Sequence, residues 1–359
     1  MQNKLNKDSF AGQTFYIGID YHKKSWKVTI LGEQYEHKTM SQNPDPNILV
    51  SYMERNFPGG TYKAVYESGF SGFQACRKLK SLGVDCIVIH AADVPTSQKE
   101  KLQKTDKADS RKLARCLRSN EFEAIDIPDR ILETERALIR QRFRFSKDIS
   151  RIKNRVKSLL FQFGIEIPVY ITASQSRHWS KAYTNWLNNL VPEEDSLKLV
   201  IENHVRAGEI LRKELLILNR QIRALSQGDR YIKNYILLNS IPGIGLMTAM
   251  SFLVQIGNIS RFKKLDELCN YVGLVPRMYG SGDKMVTGKM IKRGQKGLKI
   301  MLIEASWYAI RLDPALMLKF SQLIKTMPKN KAIIRIARKL LSRMRHVLEN
   351  QVPYNLGTI

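Results

Sequence analysis

The feature that most constrains this chain is the order of its N-terminal segments. Residues 15–20, 26–31 and 35–39 form three short apolar or alternating runs, and helical and strand-like patterns then alternate. The spacing predicts a helix near 46–57, a strand over 61–66, a helix near 70–82, a strand over 84–89 and a helix opening near Thr105. YHKKSW suits a short connection between the first two strands, Pro58-Gly59-Gly60 ends a helix, and Gly83 sits where a C-terminal cap belongs. Three meandering strands followed by alternating helices and strands make a mixed sheet covered by helices.

Four carboxylates occupy telling places in that order. Asp20 closes FYIGID and Glu67 closes YKAVYE, so each projects from the C-terminal end of a strand. Asp106 and Asp109 lie in KTDKADSRKLARCL, where positions 106, 109, 110, 113, 114 and 117 share one helical stripe that Leu113, Ala114 and Leu117 make core-facing. Both aspartates are therefore expected to point inward, leaving Arg111, Lys112, Arg115 and Arg118 largely on the other side. Singly, each acid has an ordinary reading: Asp20 opens a turn, Glu67 is a strand-end charge, Asp106 caps its helix. Jointly, converging carboxylates with no dedicated base beside them most naturally hold cations. Two Mg2+ ions about 3.5–4 Å apart, with Mn2+ as the substitute, would suit phosphoryl transfer. The order of elements and the positions of the acids resemble the RNase H and RuvC-like nuclease fold. There, acids from the first strand, the fourth strand and a late helix converge.

Charge points the same way. Lys and Arg number 59 against 33 Asp and Glu, a net charge of +26, which is the electrostatic footprint of a protein that neutralises phosphate. A purely structural nucleic-acid binder would share that charge without needing four inward acids. With 43% hydrophobic residues the chain is no disordered tail, and 359 residues allow two or three domains. Cys76, Cys86, Cys116 and Cys269 lack CxxC spacing and read as buried free thiols of a reducing compartment. The polar N-terminus implies a cytoplasmic location. The charge-free stretch from Asn234 to Ser260 is interrupted by Pro242, Gly243, Gly245 and Gln255, so no membrane association is expected.

In the middle of the chain, Phe145, Ile149, Ile152, Val156, Leu159 and Phe163 recur by fours and threes, and Leu211, Leu215, Leu218, Ile222 and Leu225 repeat the pattern. Two such seams predict an antiparallel pair of long helices with a folded tip. Off the first seam lie Arg144, Arg151 and Arg155 among other cations, which read equally as a solvated face or as a rail for a phosphate backbone. At the tip, His178, Trp179, Tyr183 and Trp186 stand beside Arg177 and Lys181. They read either as stacking groups for unpaired bases or as a packed cap or subunit contact.

The C-terminal third holds LLNSIPGIGLMTA, a candidate helix-hairpin-helix in which Gly243 and Gly245 would let a phosphate meet the amides of the second helix. A glycine turn between two core helices is the plainer reading. Further on, Ser281 stands between Gly280 and Gly282 in a segment that carries Arg277, Lys284, Lys289, Lys292 and Arg293. Such a serine is either a loop tip or a hydroxyl that a phosphate can approach.

The ordered set is similar to the Piv-like DEDD transposases of insertion sequences, a family that includes DNA invertases and bridge-RNA-guided recombinases. The motifs that carry the resemblance are the GID strand, YESG, the TDKAD pair with its basic helix, the coiled-coil insertion, PGIG, GLVPR with its serine-glycine, and GKMIKRG. The resemblance implies an α/β RuvC-like domain at 1–128, a coiled-coil domain at 129–229 and a mainly α transposase domain at 230–359. It implies Asp20, Glu67, Asp106 and Asp109 as metal ligands and Ser281 as the nucleophile. It further implies DNA as substrate, a noncoding guide RNA, and a homo-oligomer, dimer or tetramer, joined through the coiled coil. Two positions depart from the family's habit: Ser110 follows the aspartate pair, and Gly280 replaces the first of two serines. The reading is thus a recombinase that cuts and rejoins DNA. A hydrolytic RuvC-like junction endonuclease and a noncatalytic nucleic-acid scaffold are the alternatives.

Overall fold

A computed structural model describes residues 10–95, 105–172, 179–281 and 284–357, without the side chains of 172, 279–281 and 284–287. Arg177, His178 and Gly282 lie outside the described residues. The chain divides into two compact units, Met1–Ile127 and Pro128–Ile359.

The first unit is built on a five-stranded sheet of order β3-β2-β1-β4-β5, from β1 (Thr14–Tyr21), β2 (Trp26–Leu31), β3 (Glu36–Gln42), β4 (Thr61–Glu67) and β5 (Asp85–Ile89). β1, β2 and β3 pair antiparallel, while β4 is parallel to both β1 and β5, so the sheet is mixed as the segment order predicts. Alternation sorts β1 into two sets. Phe15, Ile17 and Ile19 join the core cluster that holds residues of α1 (Pro46–Asn56) and α2 (Gln74–Ser81). The opposite face is covered by α3 (Asp106–Ser119), whose Leu113, Cys116 and Leu117 cluster with Val65 and Ile89. Asp20 shares parity with Gly18 on this second face, and Glu67 shares parity with Val65.

Helix α3 is held against the sheet along its length. The buried hydroxyls of Thr29 and Ser110 lie 2.9 Å apart, Arg111 pairs with Glu36 at 2.7 Å, and Arg118 donates to the carbonyls of Gly32 and Glu33. Ser110 thus binds α3 to β2 where alanine could not. The helix starts at Thr105, whose hydroxyl accepts from the Ala108 amide at 3.2 Å, and it ends on Asn120 in the left-handed region.

In the second unit, α4 (Arg130–Gln162) and α6 (Asp195–Gln227) are long helices in antiparallel contact. Ile152, Val156 and Leu160 cluster with Leu197, Ile201 and Val205, whereas Leu132 and Ile139 cluster with Ile222. The expected seam is only partly right. Leu160 is buried in place of Leu159, Phe163 is half exposed, and Leu211, Leu215 and Leu218 are only partly covered. Burial follows the 3.6-residue period of a helix resting on neighbours at each end, not a narrow two-helix seam.

The tip aromatics are core rather than stacking groups. Trp179, Tyr183 and Leu187, the last two on α5 (Lys181–Asn188), are buried with the ends of α4 and α6. Gly208 makes room: a β-carbon there would lie 2.4 Å from Cζ2 of Trp179.

The other end of the pair belongs to the largest core. It includes residues of α7 (Ile232–Asn239), α8 (Leu246–Ile256), α9 (Leu265–Val272), α10 (Lys296–Leu312), α11 (Pro314–Ile324) and α12 (Lys329–Asn350). A hairpin of β6 (Pro276–Ser281) and β7 (Lys284–Met290) interrupts the helices, an element the sequence reading lacks. No helix among the described residues is long and apolar enough to cross a membrane, and Ala249 to Ile256 is buried throughout. All four cysteines are buried and free.

Candidate active site

The site is assembled where β1 and β4 end. Ile19 pairs with Tyr66, so Asp20 and Glu67 emerge one residue beyond on adjacent parallel strands, with backbones about 5 Å apart. Gly18 brings α3 to the same place. A β-carbon on Gly18 would lie 2.1 Å from the Ser110 carbonyl oxygen and 2.4 Å from the Ala114 nitrogen, so α3 crosses β1 in backbone contact. The first turns of the helix then overhang the strand end, and both Asp106 and Asp109 act electrostatically on Asp20.

The two aspartates of α3 are not equivalent. Asp109 is 20% exposed and receives Lys112 Nζ at 3.5 Å. Asp106 is 68% exposed, which corrects the expectation that both point inward. The buried stripe holds from Ser110 to Leu117, and among the described residues the helix buries none of its side chains before Ser110. Nor does Asp106 cap the helix, because Thr105 does.

His22 is the residue the sequence reading missed. Its Nε2 lies 3.1 Å from Asp20 Oδ2 and 3.7 Å from Asp106 Oδ1. Ligand atoms of Asp20, His22 and Asp106 all fall within 4.8 Å of one another. Its signal was present: two residues after Asp20, period-two alternation returns the side chain to the same side.

Electrostatics at Asp20 favour a cation. Burial pushes its carboxyl above the ordinary value; the neighbouring His22 opposes this, while Asp106 and Asp109 add to it. Clustered oxygens suit hard divalent ions such as Mg2+ and Mn2+, and an imidazole nitrogen beside them is accepted more readily by a transition ion such as Mn2+ than by Mg2+. The donor set of Asp20, His22 and Asp106 therefore fits a divalent metal.

The C-terminal candidates lie in the second unit. The backbone of Ser281 ends β6 opposite Lys284. The serine is therefore the last residue of β6. The side chains of Ser281 and Lys284 lie outside the described residues. Lys289, Lys292 and Arg293 are exposed, the last two on a turn fixed by glycines. Gly294, at φ +109°, would place a β-carbon 2.7 Å from the Gly273 nitrogen, so this turn lies backbone to backbone on the end of α9. Gly243 packs inward, where a β-carbon would meet the Ala305 carbonyl oxygen of α10 at 2.6 Å, whereas Gly245 at the head of α8 has open space beside it. On α4, Arg144, Arg151 and Arg155 are exposed, and Arg151 pairs with Asp148 at 2.7 Å.

Two family models match in sequence order. A DEDD transposase model of the IS110 type covers residues 17–165, and one described as the transposase IS116/IS110/IS902 family covers 235–322. The chain is 24% identical over 303 residues to the transposase for insertion sequence element IS1533 of Leptospira borgpetersenii, covering 81% of this chain and 84% of that protein. It is 25% identical over 360 residues to the putative transposase y4rJ of Sinorhizobium fredii, covering 91% and 89% respectively. Over 126 residues it is 35% identical to the pilin gene-inverting protein of Moraxella bovis, covering 33% of this chain and 38% of that protein.

Proposed function

The chain belongs to the IS116/IS110/IS902 family of transposases, enzymes that cut and join DNA, and from that premise we propose a metal-dependent serine recombinase that mobilises its own element. The observation that carries this reading is the convergence of Asp20, His22 and Asp106 within 4.8 Å at the end of β1. Asp109 and Glu67 complete the ligand set. Bound there, Mg2+ or Mn2+ supplies activation of an attacking oxygen and stabilisation of the leaving one.

In this reading the Ser281 hydroxyl attacks phosphorus, and a deoxyribose hydroxyl leaves carrying a proton. The phosphodiester becomes a phosphoserine ester, and a hydroxyl of another strand later displaces the serine. One bond forms for each that breaks, so rejoining needs no external energy source. Lys284, Lys289, Lys292 and Arg293 surround the phosphate as it acquires charge. Arg144, Arg151 and Arg155 follow a phosphate backbone, and Gly243 with Gly245 presents the first amides of α8 to another as a helix-hairpin-helix. The long helical pair of α4 and α6 joins subunits, a noncoding RNA selects the sites, and the reaction takes place in the cytoplasm.

The test is a stalled reaction with DNA analysed by mass spectrometry. Wild-type protein should yield an adduct on the Ser281 peptide. Ser281→Ala should bind DNA and metal but form no adduct and no recombinant, and Asp20→Asn should bind DNA without cutting. Cleavage by Ser281→Ala without any adduct would establish the hydrolytic endonuclease instead.

A further inference from the structure

In the second unit, α4, the end of α8 and the head of α10 enclose a notch of about 220 Å³ lined by Arg140, Phe143, Arg144, Gln255, Gln295 and Gly297. Its wall holds an unmet demand. Gln255 is 3% exposed, and its side-chain Oε1 has no hydrogen-bond partner. A buried acceptor left without a donor destabilises the fold, so such groups are rare and call for an explanation. The residue is also fixed in place. Its backbone carbonyl accepts from Arg136 Nη2 at 2.9 Å and from the Tyr271 hydroxyl at 3.0 Å.

The rest of the notch is built for an anion. Arg140 and Arg144 are exposed and one helical turn apart on α4. The 17-residue helix α10 begins at the notch, and its N-cap Gln295 makes no side-chain capping bond to the first amides. Gly297 allows this approach, since a β-carbon there would lie 3.0 Å from ring carbons of Phe143.

An anion alone leaves Gln255 unanswered, because a phosphate diester has acceptors only. The ligand must bring a donor beside its phosphate. Duplex DNA is a poor match, since its deoxyribose has no 2′-hydroxyl to give and the free N–H of each paired base amine lies in a groove, away from the phosphate that the arginines hold. We propose that this notch holds one unpaired nucleotide of a nucleic-acid strand, its phosphate at Arg140, Arg144 and the head of α10 and a sugar hydroxyl or base amine donating to Gln255. The proposal rests on the nucleic-acid-handling role given above and adds to it a place that separates unpaired strands from duplex.

The experiment uses the full-length protein and fluorescence anisotropy with 12-nucleotide single-stranded RNA, single-stranded DNA and duplex DNA across a salt series. Gln255→Met keeps the volume and removes the acceptor. It should weaken single-strand binding about tenfold, as expected for loss of a buried hydrogen bond, with the salt slope retained. Arg140→Gln should lower the single-strand slope by about 0.7 for the one phosphate it no longer neutralises. A loss confined to RNA assigns the donor to the sugar hydroxyl, and a loss on both strands assigns it to a base amine. Unchanged single-strand affinity in Gln255→Met overturns the proposal and leaves the notch a packing void. Should that variant unfold, an unchanged slope in Arg140→Gln, whose side chain is exposed, overturns it equally. Arg151→Gln with Arg155→Gln, outside the notch, reports on the general basic face, so failure of that role is distinguishable from failure of the notch.

Discussion

Gly18 of β1 lies in backbone contact with Ser110 of α3, at a separation that leaves no room for a single methyl group. This contact sets the height of α3 above the sheet and thereby the distance from Asp20 to the aspartates of its first turns. Gly18→Ala should therefore act on both stability and cleavage. Forcing a methyl group against main-chain atoms costs about 3 kcal/mol, the upper part of the range for overpacking, and the helix can relieve it only by moving outward. The expected result is a lowered Tm together with loss of metal-dependent stabilisation. A variant that keeps full cleavage would show that the height of α3 is not critical.

Metal binding should be linked to pH through Asp20. Its folded carboxyl lies above the ordinary value of 3.8, chiefly because of burial. A raised pKa means that the folded, metal-free protein holds the proton more tightly than the unfolded chain does. The stability this confers is fully present below the ordinary value and is lost as pH rises through the folded pKa. A divalent ion replaces the lost proton, so the rise in Tm on adding Mn2+ should grow from the acidic carboxylate range toward neutrality. Differential scanning fluorimetry across pH measures it. A rise that is flat with pH, or as large in Asp20→Asn, would remove Asp20 from the metal site.

His22 gives a test of metal identity. Imidazole suits Mn2+ better than Mg2+, and Nε2 lies 3.1 Å from Asp20 and 3.7 Å from Asp106. His22→Asn should weaken Mn2+ binding by about tenfold or more, the scale seen when a metal site loses a supporting group, and weaken Mg2+ binding less. Isothermal titration with each ion decides it. Equal losses for both ions would make His22 a partner of Asp20 and not a ligand.

On α4, the exposed cations lie on the face away from the buried stripe through Ile149, Ile152, Val156 and Leu160. Replacing Arg144, Arg151 and Arg155 by glutamine should lower the slope of log affinity for duplex DNA against log salt by about 0.9 for each phosphate that is no longer neutralised. Folding should be unaffected, because the Arg151–Asp148 pair is exposed and adds little stability. An unchanged slope would return this face to solvent.

Much of the first unit was legible because a strand buried on both faces has a strong sequence signature. Phe15 to Ile19 and Tyr62 to Tyr66 carry it, and the acids that follow them inherit their place from the strand ends. The second unit was less legible. Its long helices bury against different neighbours at each end, so the heptad reading of Leu159 and Phe163 gave way to Leu160. Trp179 and Tyr183 read either as a stacking site or as a packed cap, and their packing against the ends of α4 and α6, with Gly208 leaving room for Trp179, makes them core.

The sequence by itself determined the period of each element, the strand-end positions of Asp20 and Glu67, and the helical spacing that relates Asp106 to Asp109. All of these follow from local geometry, since alternation by two and repetition by 3.6 are properties of a single segment. Only the tertiary structure decided which acid is exposed, that His22 joins Asp20 and Asp106, and that Gln255 lines a notch with its oxygen buried and unpaired. Those outcomes depend on where one segment stops relative to another. Among the described residues α3 buries none of its side chains before Ser110, and α10 begins where α8 ends, and such offsets are fixed by packing between segments far apart in the chain.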